Sequence, residues 1–430
     1  MSTTQGRSAR GHDAIIIGAG LAGLSAACKL AEAGARVLVL AKGAGSTHLW
    51  PGTIDVLGYS PGRVEGPAKE LPGFLADHPG HPYGLVGVDG ITAAVEWFKG
   101  RFADEQLPGY AYRGDLSSNH LLPTAVGVPK PSALVPDSMA AGDVRTGYSV
   151  AIVSFRALRD FHPAYLADNL SHAETGPGIE ARGISLDLQP EGRVEVNALA
   201  LARAFEDPAF RAGVAGALAG RLDGVDRVGF PAALGINDPQ TVWKDMERRL
   251  ERSVFEIPTL PPSVPGIRAD RVLRAGLSRA GARVIRNSPV VGIEREGDRV
   301  TGVRAHTSGR DTVYPARNVL LATGGFSAGG LELGSDWKVR ETVMGLPLTG
   351  VPDGERFRAE YFDSQPMSRA GVAADEGLRP IDERGDPVFS NVFIAGATLA
   401  GSEPWREGSG AGVSLATGHR AAELILSEAS

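Results

Sequence analysis

Residues 12–42 read HDAIIIGAGLAGLSAACKLAEAGARVLVLAK, and the fold turns on this stretch. A short apolar run over 14–17 suits a strand buried on both faces. Gly18-Ala19-Gly20-Leu21-Ala22-Gly23 follows with the G-x-G-x-x-G spacing, then an amphipathic helix ending near Gly34 and a second apolar run over 37–40. Each glycine has its own task in such a strand–helix–strand unit. Gly18 makes the tight turn out of the strand, Gly20 lets a pyrophosphate approach the backbone, and Gly23 lets the helix pack close to the sheet. Leu21 and Ala22 open that helix, whose unpaired N–H groups and partial positive charge favour an anion. Small residues at such a turn can serve packing alone, but here both flanking strands and the helix are in place, which favours nucleotide binding. One expected part is missing. The carboxylate that would hold a ribose diol belongs near position 41, where this chain has Ala41-Lys42-Gly43. Either the ribose is held another way or the ligand lacks an adenosine ribose.

The whole chain bounds the rest. Its 430 residues suffice for two domains with large cores. A net charge of −6 without a basic block argues against nucleic acid as a partner. A single cysteine, Cys28 in the motif helix, excludes disulfides within the chain and any cysteine-based zinc or iron–sulfur site. It reads as a small packing residue. No metal site is expected. The polar residues 1–11 lack a signal-peptide core, and no apolar run reaches the ~18 residues of a membrane span, so the expected location is cytoplasmic. The 57 glycines and 29 prolines imply turns and close backbone contacts, since 43% hydrophobic residues argue against disorder.

After Lys42 comes a glycine-rich loop carrying His48, Trp50, Gly52 and Thr53. It leaves the carboxyl end of a central strand, where open α/β sheets bind their ligands. Pro, Gly and His dominate 61–89, a linker with no metal-ligand spacing. A helix is expected over 91–102. The middle of the chain predicts a strand over 148–153 and helices over 197–205, 210–222 and 240–252, with Asp207-Pro208 as a break. It holds no nucleotide motif and is the natural substrate domain. Lys130, Arg145, Arg156 and Arg159 are its candidates for gripping an anionic substrate. From 266 the pattern gives a helix over 269–280, a strand over 282–285, strands over 289–293 (with Val291), 300–303 and 311–314, then a buried strand over 316–322 running into Thr323-Gly324-Gly325. That turn brings backbone beside a ligand. At the C-terminus a strand over 391–395 ends in Gly396, and Gly408-Ser409-Gly410-Ala411-Gly412 opens a helix to about 426, a second anion site.

The N-terminal glycine motif, the late strand ending in ATGG and the C-terminal strand with its glycine helix together resemble the two-domain flavoproteins. That resemblance implies one flavin, FMN or FAD, with its ring near the C-terminal helix and residues 408–412 beside the pyrimidine end. It also implies the fold: α/β, a Rossmann-like, doubly wound, three-layer flavin domain built from segments 1–75, 263–330 and 376–430, with an α+β substrate or cap domain from 76–262 and 331–375. The cofactor contacts expected are Gly18, Gly20, Leu21, Ala22, Gly23, Lys42, Gly43, Gly52, Thr53, Val291, Thr323, Gly324, Gly325, Gly396, Gly408, Ser409, Gly410, Ala411 and Gly412.

A narrower resemblance rests on His48-Leu49-Trp50-Pro51-Gly52-Thr53-Ile54-Asp55-Val56-Leu57, on His81-Pro82-Tyr83-Gly84-Leu85-Val86-Gly87, on Arg159-Asp160-Phe161-His162-Pro163, and on Gly396-Ala397-Thr398-Leu399-Ala400-Gly401 through Glu403-Pro404 to Gly412. These runs resemble the B subunit of anaerobic glycerol-3-phosphate dehydrogenase. That family implies FMN, a larger FAD-bearing A subunit and an iron–sulfur subunit at the membrane, which would hold this chain at the inner face. The missing carboxylate at Ala41 suits FMN, which has no adenosine ribose, while the pyrophosphate fingerprint leaves FAD open. The reaction implied is oxidation of sn-glycerol 3-phosphate to dihydroxyacetone phosphate, with electrons passing through flavin to a quinone or respiratory acceptor. His48 is the candidate base. Two other readings remain open: a free-standing FAD dehydrogenase of another small substrate, and a flavin-binding relay or assembly subunit without substrate chemistry.

Overall fold

Seven strands form the main sheet of the computed structural model, which describes residues 11–103, 110–174, 178–190 and 195–428. The N-terminal residues 1–10, read above for a leader, lie outside these. His12–Ile17 runs parallel to Val37–Leu40 on one side and to Arg310–Leu321 on the other. Arg283–Ile285 extends the sheet beyond Val37–Leu40, and Val392–Ile394 lies parallel beside the end of Arg310–Leu321. The central strands are buried on both faces, as their unbroken runs of Ile, Val and Leu require. Helix Leu21–Glu32 ends at Gly34, which takes a positive φ of 84° that few other residues adopt.

Two separate strands were expected over 311–314 and 316–322, and they prove to be one. Arg310–Leu321 pairs antiparallel with Arg299–Thr307 along its first half and parallel with His12–Ile17 along its second. Pro315, which reads as a break, sits at the changeover of partners, where a residue without an N–H is tolerated. The helix expected from 269 starts earlier, as Val264–Arg279. Ser263 caps it by accepting from Gly266 N–H at 3.1 Å, and Pro265 fits its first turn.

The middle of the chain contains small antiparallel pairs, such as Tyr112–Gly114 with Leu134–Pro136. Its main sheet, however, is wholly parallel: Ile179–Leu186, Tyr148–Phe155, Arg227–Pro231 and Ser253–Ile257. The α+β description of this unit is therefore corrected to α/β at its centre, because helices such as Pro163–Ser171 and Pro239–Leu250 supply the crossovers that parallel neighbours need. Asn197, Asp207 and Asp238 cap its helices, and Asp207-Pro208 is the break expected.

Each sheet has its own apolar core. One gathers Ile15, Leu38, Leu320, Phe393 and Leu415 together with Tyr83 and Phe98; the other gathers Ile152, Phe205, Phe230 and Phe255. Between them lies a fully buried ion pair. Arg268, on helix Val264–Arg279, donates to both Glu256 oxygens at 2.7 and 2.9 Å and to the Gly235 carbonyl, while Ser138 Oγ donates to Glu256 at 2.7 Å. Arg268→Met leaves the Glu256 charge buried and unpaired, so it should cost about 3–5 kcal/mol of unfolding free energy in urea titration. The double variant Arg268→Met with Glu256→Leu should regain most of that loss.

Candidate functional site

The three glycine turns come together at the carboxyl ends of the central strands. Gly18 has φ +114°, and a Cβ there would lie 2.2 Å from the Ala322 carbonyl oxygen. Gly396 has φ +73°, and its Cβ would meet Ala22 Cβ at 3.0 Å. Gly324 donates its N–H to Thr398 Oγ1 at 2.9 Å, tying the ATGG turn to the C-terminal one. Across the back, helix Gly410–Ser427 crosses Leu21–Glu32 so closely that a Cβ on Gly418 would stand 2.3 Å from Ala22 O.

The motif glycines divide their work as their spacing implies. Gly23 allows close packing, for its Cβ would strike Gly18 O at 2.2 Å. Gly20 alone faces open space: the nearest atom to an added Cβ is Ser46 Oγ at 3.5 Å. The first N–H groups of helix Leu21–Glu32 point there with no acceptor within the helix. This donor set, with the serine hydroxyl beside it, suits a phosphate. Residues 43–47 fold back over the turn, so that Gly45 takes φ +82° and its Cβ would lie 2.3 Å from Ala19 O. Lys42 is exposed and Gly43 partly so. Beside them the Ala41 N–H donates to Ile285 O, and Ser288 N–H donates to Ala41 O. Arg286 thus sits at the strand end next to Lys42, a basic neighbour that the linear sequence does not suggest. Val291, second in the strand Val290–Glu296 that leaves this corner, is half exposed.

The segment 48–58 is held tightly. Gly52 rests on Pro265, and its carbonyl accepts from Tyr112 Oη at 2.7 Å. Thr53 Oγ1 donates to the buried Asp55 at 2.9 Å, and Asp55 also accepts from Ser132 Oγ and pairs with Lys130. His48 Nε2 lies 3.6 Å from Asp270, which also holds Arg274 and Thr47.

At the C-terminal turn the expected residues have two fates. Gly408 takes φ +60° against Gly58, and Gly410 and Ala411 open the last helix. Gly412 instead packs protein on protein. Its N–H donates to Asp55 O, and a Cβ would stand 2.2 Å from Tyr83 Oη. Beneath this turn lies a network that the sequence did not suggest. His81 Nδ1 accepts from Tyr83 N–H, so Nε2 carries the proton and donates to Glu407 at 3.2 Å. Ser409 Oγ and Glu403 N–H donate to the same carboxylate. Burial alone would raise the Glu407 pKa, but the hydrogen bonds, led by that from His81, outweigh it and hold the group below the ordinary carboxylate value. The only signal was the spacing of two polar residues in otherwise glycine-rich turns. Among the described residues no cluster of His, Cys, Asp or Glu could hold a metal ion, and no helix is long and apolar enough to cross a membrane.

This geometry defines a dinucleotide-type flavin fold, and the sequence profile of the FAD binding domain family matches residues 13–413. The chain is a flavin-dependent oxidoreductase of that class. Within it the chain belongs to the family of anaerobic glycerol-3-phosphate dehydrogenase B subunits: it is 33% identical to a probable B subunit of that enzyme from Halobacterium salinarum over 95% of this chain and 96% of that one. It is 30% identical to the B subunit from Pectobacterium carotovorum over 97% and 99% of the two chains. Among solved structures, a 3-ketosteroid delta1-dehydrogenase from Sterolibacterium denitrificans matches with a TM-score of 0.46 at 14% identity, over 97% of this chain and 99% of that one.

Gly20→Val should abolish flavin uptake, read from the visible spectrum, while leaving the unfolding temperature of the apoprotein nearly unchanged. Gly412→Ala should do the reverse, costing about 1–3 kcal/mol of stability through its clash with Tyr83. Because Glu407 titrates lower folded than unfolded, its stabilisation is present above the ordinary carboxylate pKa and is lost as pH falls through the lowered value. The stability gap between the native chain and Glu407→Gln should therefore narrow as the pH of a denaturation series is taken below about 4.

Proposed function

We propose that this chain is the flavin-bearing B-type subunit of a dehydrogenase that oxidises sn-glycerol 3-phosphate to dihydroxyacetone phosphate and passes the electrons to a quinone-type acceptor. The observation that carries the reading is the meeting of the 18–23, 322–325 and 396–398 turns in a chain alike over nearly its whole length to proteins named for that subunit. Gly20, Leu21 and Ala22 would donate to the cofactor's phosphate and the 324–325, 396 and 408–411 turns would line it, while Gly18, Gly23 and Gly412 serve the packing that shapes the corner. The strand end at Ala41 favours FMN over FAD: it offers no carboxylate to a ribose diol, while Lys42 and Arg286 suit a terminal phosphomonoester. A bound flavin supplies the hydride acceptor.

His48 is the candidate base for the substrate hydroxyl. Asp270, held in place by Arg274 at 2.7 Å, would orient the imidazole. A second reading, an electron-relay subunit without its own substrate chemistry, draws support from the same residues: His48 and Lys130 both sit against buried carboxylates that fix local structure. In either case electrons leave to a partner protein or a diffusible acceptor, since this chain has no cysteine cluster to hold an iron–sulfur centre. Cys28 is the sole cysteine, its thiol donates to Leu273 O at 3.3 Å, and burial pushes its pKa up to about 12. The partners proposed are an A-type flavoprotein and an iron–sulfur membrane-anchor subunit, which would keep a cytoplasmic chain at the inner membrane face. The two cores support a flavin unit drawn from both ends of the chain and a second unit centred on 121–264.

Acid-released flavin should run as FMN on chromatography, and anaerobic glycerol 3-phosphate should bleach the purified chain. Bleaching only after an A-type subunit is added would select the relay reading. His48→Ala should slow reduction roughly a hundredfold at unchanged flavin content, and an unaltered rate would remove it as the base.

A further inference from the structure

We propose that the cleft around Arg63 is a binding site for a small phosphomonoester, resting on the dehydrogenase reading above and naming where its anionic substrate is gripped. Arg63 lies on the short hairpin Tyr59–Ser60 with Gly62–Arg63, which reaches from the flavin unit over the second unit. It is exposed and makes no ion pair among the described residues, so its guanidinium is available to a ligand. It also borders two adjoining cavities. One, of about 300 Å³, has Ser118, Asn119, His120, Pro131 and Arg145 on its other walls. The second, of about 450 Å³, opens toward Asn169 and His172 of the second unit. Clefts between structural units are where small ligands are usually held.

The walls of the first cavity are fixed in advance. Asp143 accepts from Arg145 Nε at 3.0 Å and pairs with His120 Nδ1 at 2.9 Å. Arg145 Nη1 donates to Ser118 Oγ at 2.6 Å. These bonds spend Asp143 on its own neighbours and leave both terminal nitrogens of Arg145 with further N–H donors. Of the residues lining the cavity, Arg63 and Arg145 supply two guanidinium groups and Glu65 the one carboxylate, while Asp143 stands behind Arg145 and is held by it. Two guanidinium groups across a small cavity suit a tetrahedral dianion better than a carboxylate, because each can donate to a separate oxygen. The cavity also adjoins the proposed flavin edge: Pro131 lines it, and a Cβ on Gly58 would meet Pro131 Cγ at 2.9 Å and the Gly408 Cα at 3.6 Å.

The test is calorimetric titration of the full-length, flavin-loaded chain with inorganic phosphate and with glycerol 3-phosphate. Both should bind, the ester more tightly. Arg63→Gln, at an exposed position that leaves folding intact, should weaken both about tenfold or more, and Arg63→Lys should recover part of the loss. Equal binding by native chain and Arg63→Gln, or no binding by either, would overturn the site. Phosphate-selective binding that depends on Arg63 in a chain whose flavin glycerol 3-phosphate never bleaches would keep the site and reject the proposed reaction instead.

Discussion

Backbone pressed directly on backbone is the constraint on which this molecule depends. At Gly18 against Ala322, Gly23 against Gly18, Gly45 against Ala19 and Gly418 against Ala22, no side chain fits between the two backbone segments. These contacts draw three distant parts of the sequence, 18–45, Ala322 and Gly418, into one corner, where Gly20 of the motif faces open space. The hydrophobic effect supplies the drive, through strands of Ile, Val and Leu buried on both faces. It is non-directional, however, and would accept many packings. The glycines choose among them.

The second unit is joined to this corner by polar means. Arg268 and Glu256 are removed from water together, and their charges are met by two carbonyl- and hydroxyl-bearing neighbours. Such a pair contributes little net stability compared with apolar residues of the same volume, but it tolerates only one arrangement of its partners. It therefore fixes how helix Val264–Arg279 sits between the two sheets. The same helix holds the 44–50 loop through Asp270 and Arg274, so the joint and the candidate catalytic loop share one support.

Much of the flavin unit was legible in the sequence because its signals are local. The G-x-G-x-x-G turn, the apolar runs at 14–17 and 37–40 and the Asp207-Pro208 break each depend on residues adjacent in the chain. What escaped notice depends on long-range pairing. The strands Arg227–Pro231 and Ser253–Ile257 are short, and only their parallel neighbours reveal them. The partner change within Arg310–Leu321 hid behind Pro315. Gly412 reads as a phosphate-facing glycine, yet it faces Tyr83 and Asp55, residues hundreds of positions away. The His81–Glu407 contact is invisible for the same reason.

The doubly partnered strand Arg310–Leu321 also sets the order in which the protein can be assembled. His12–Ile17, made first, has its inner neighbour synthesised some three hundred residues later, and Val392–Ile394 and the last helix follow later still. Until the chain is nearly complete on the ribosome, the nascent N-terminal segment carries an unpaired, strongly apolar strand edge, the kind of surface that invites misassociation. The cofactor corner is therefore incomplete until the residues that follow Val392–Ile394 have been made.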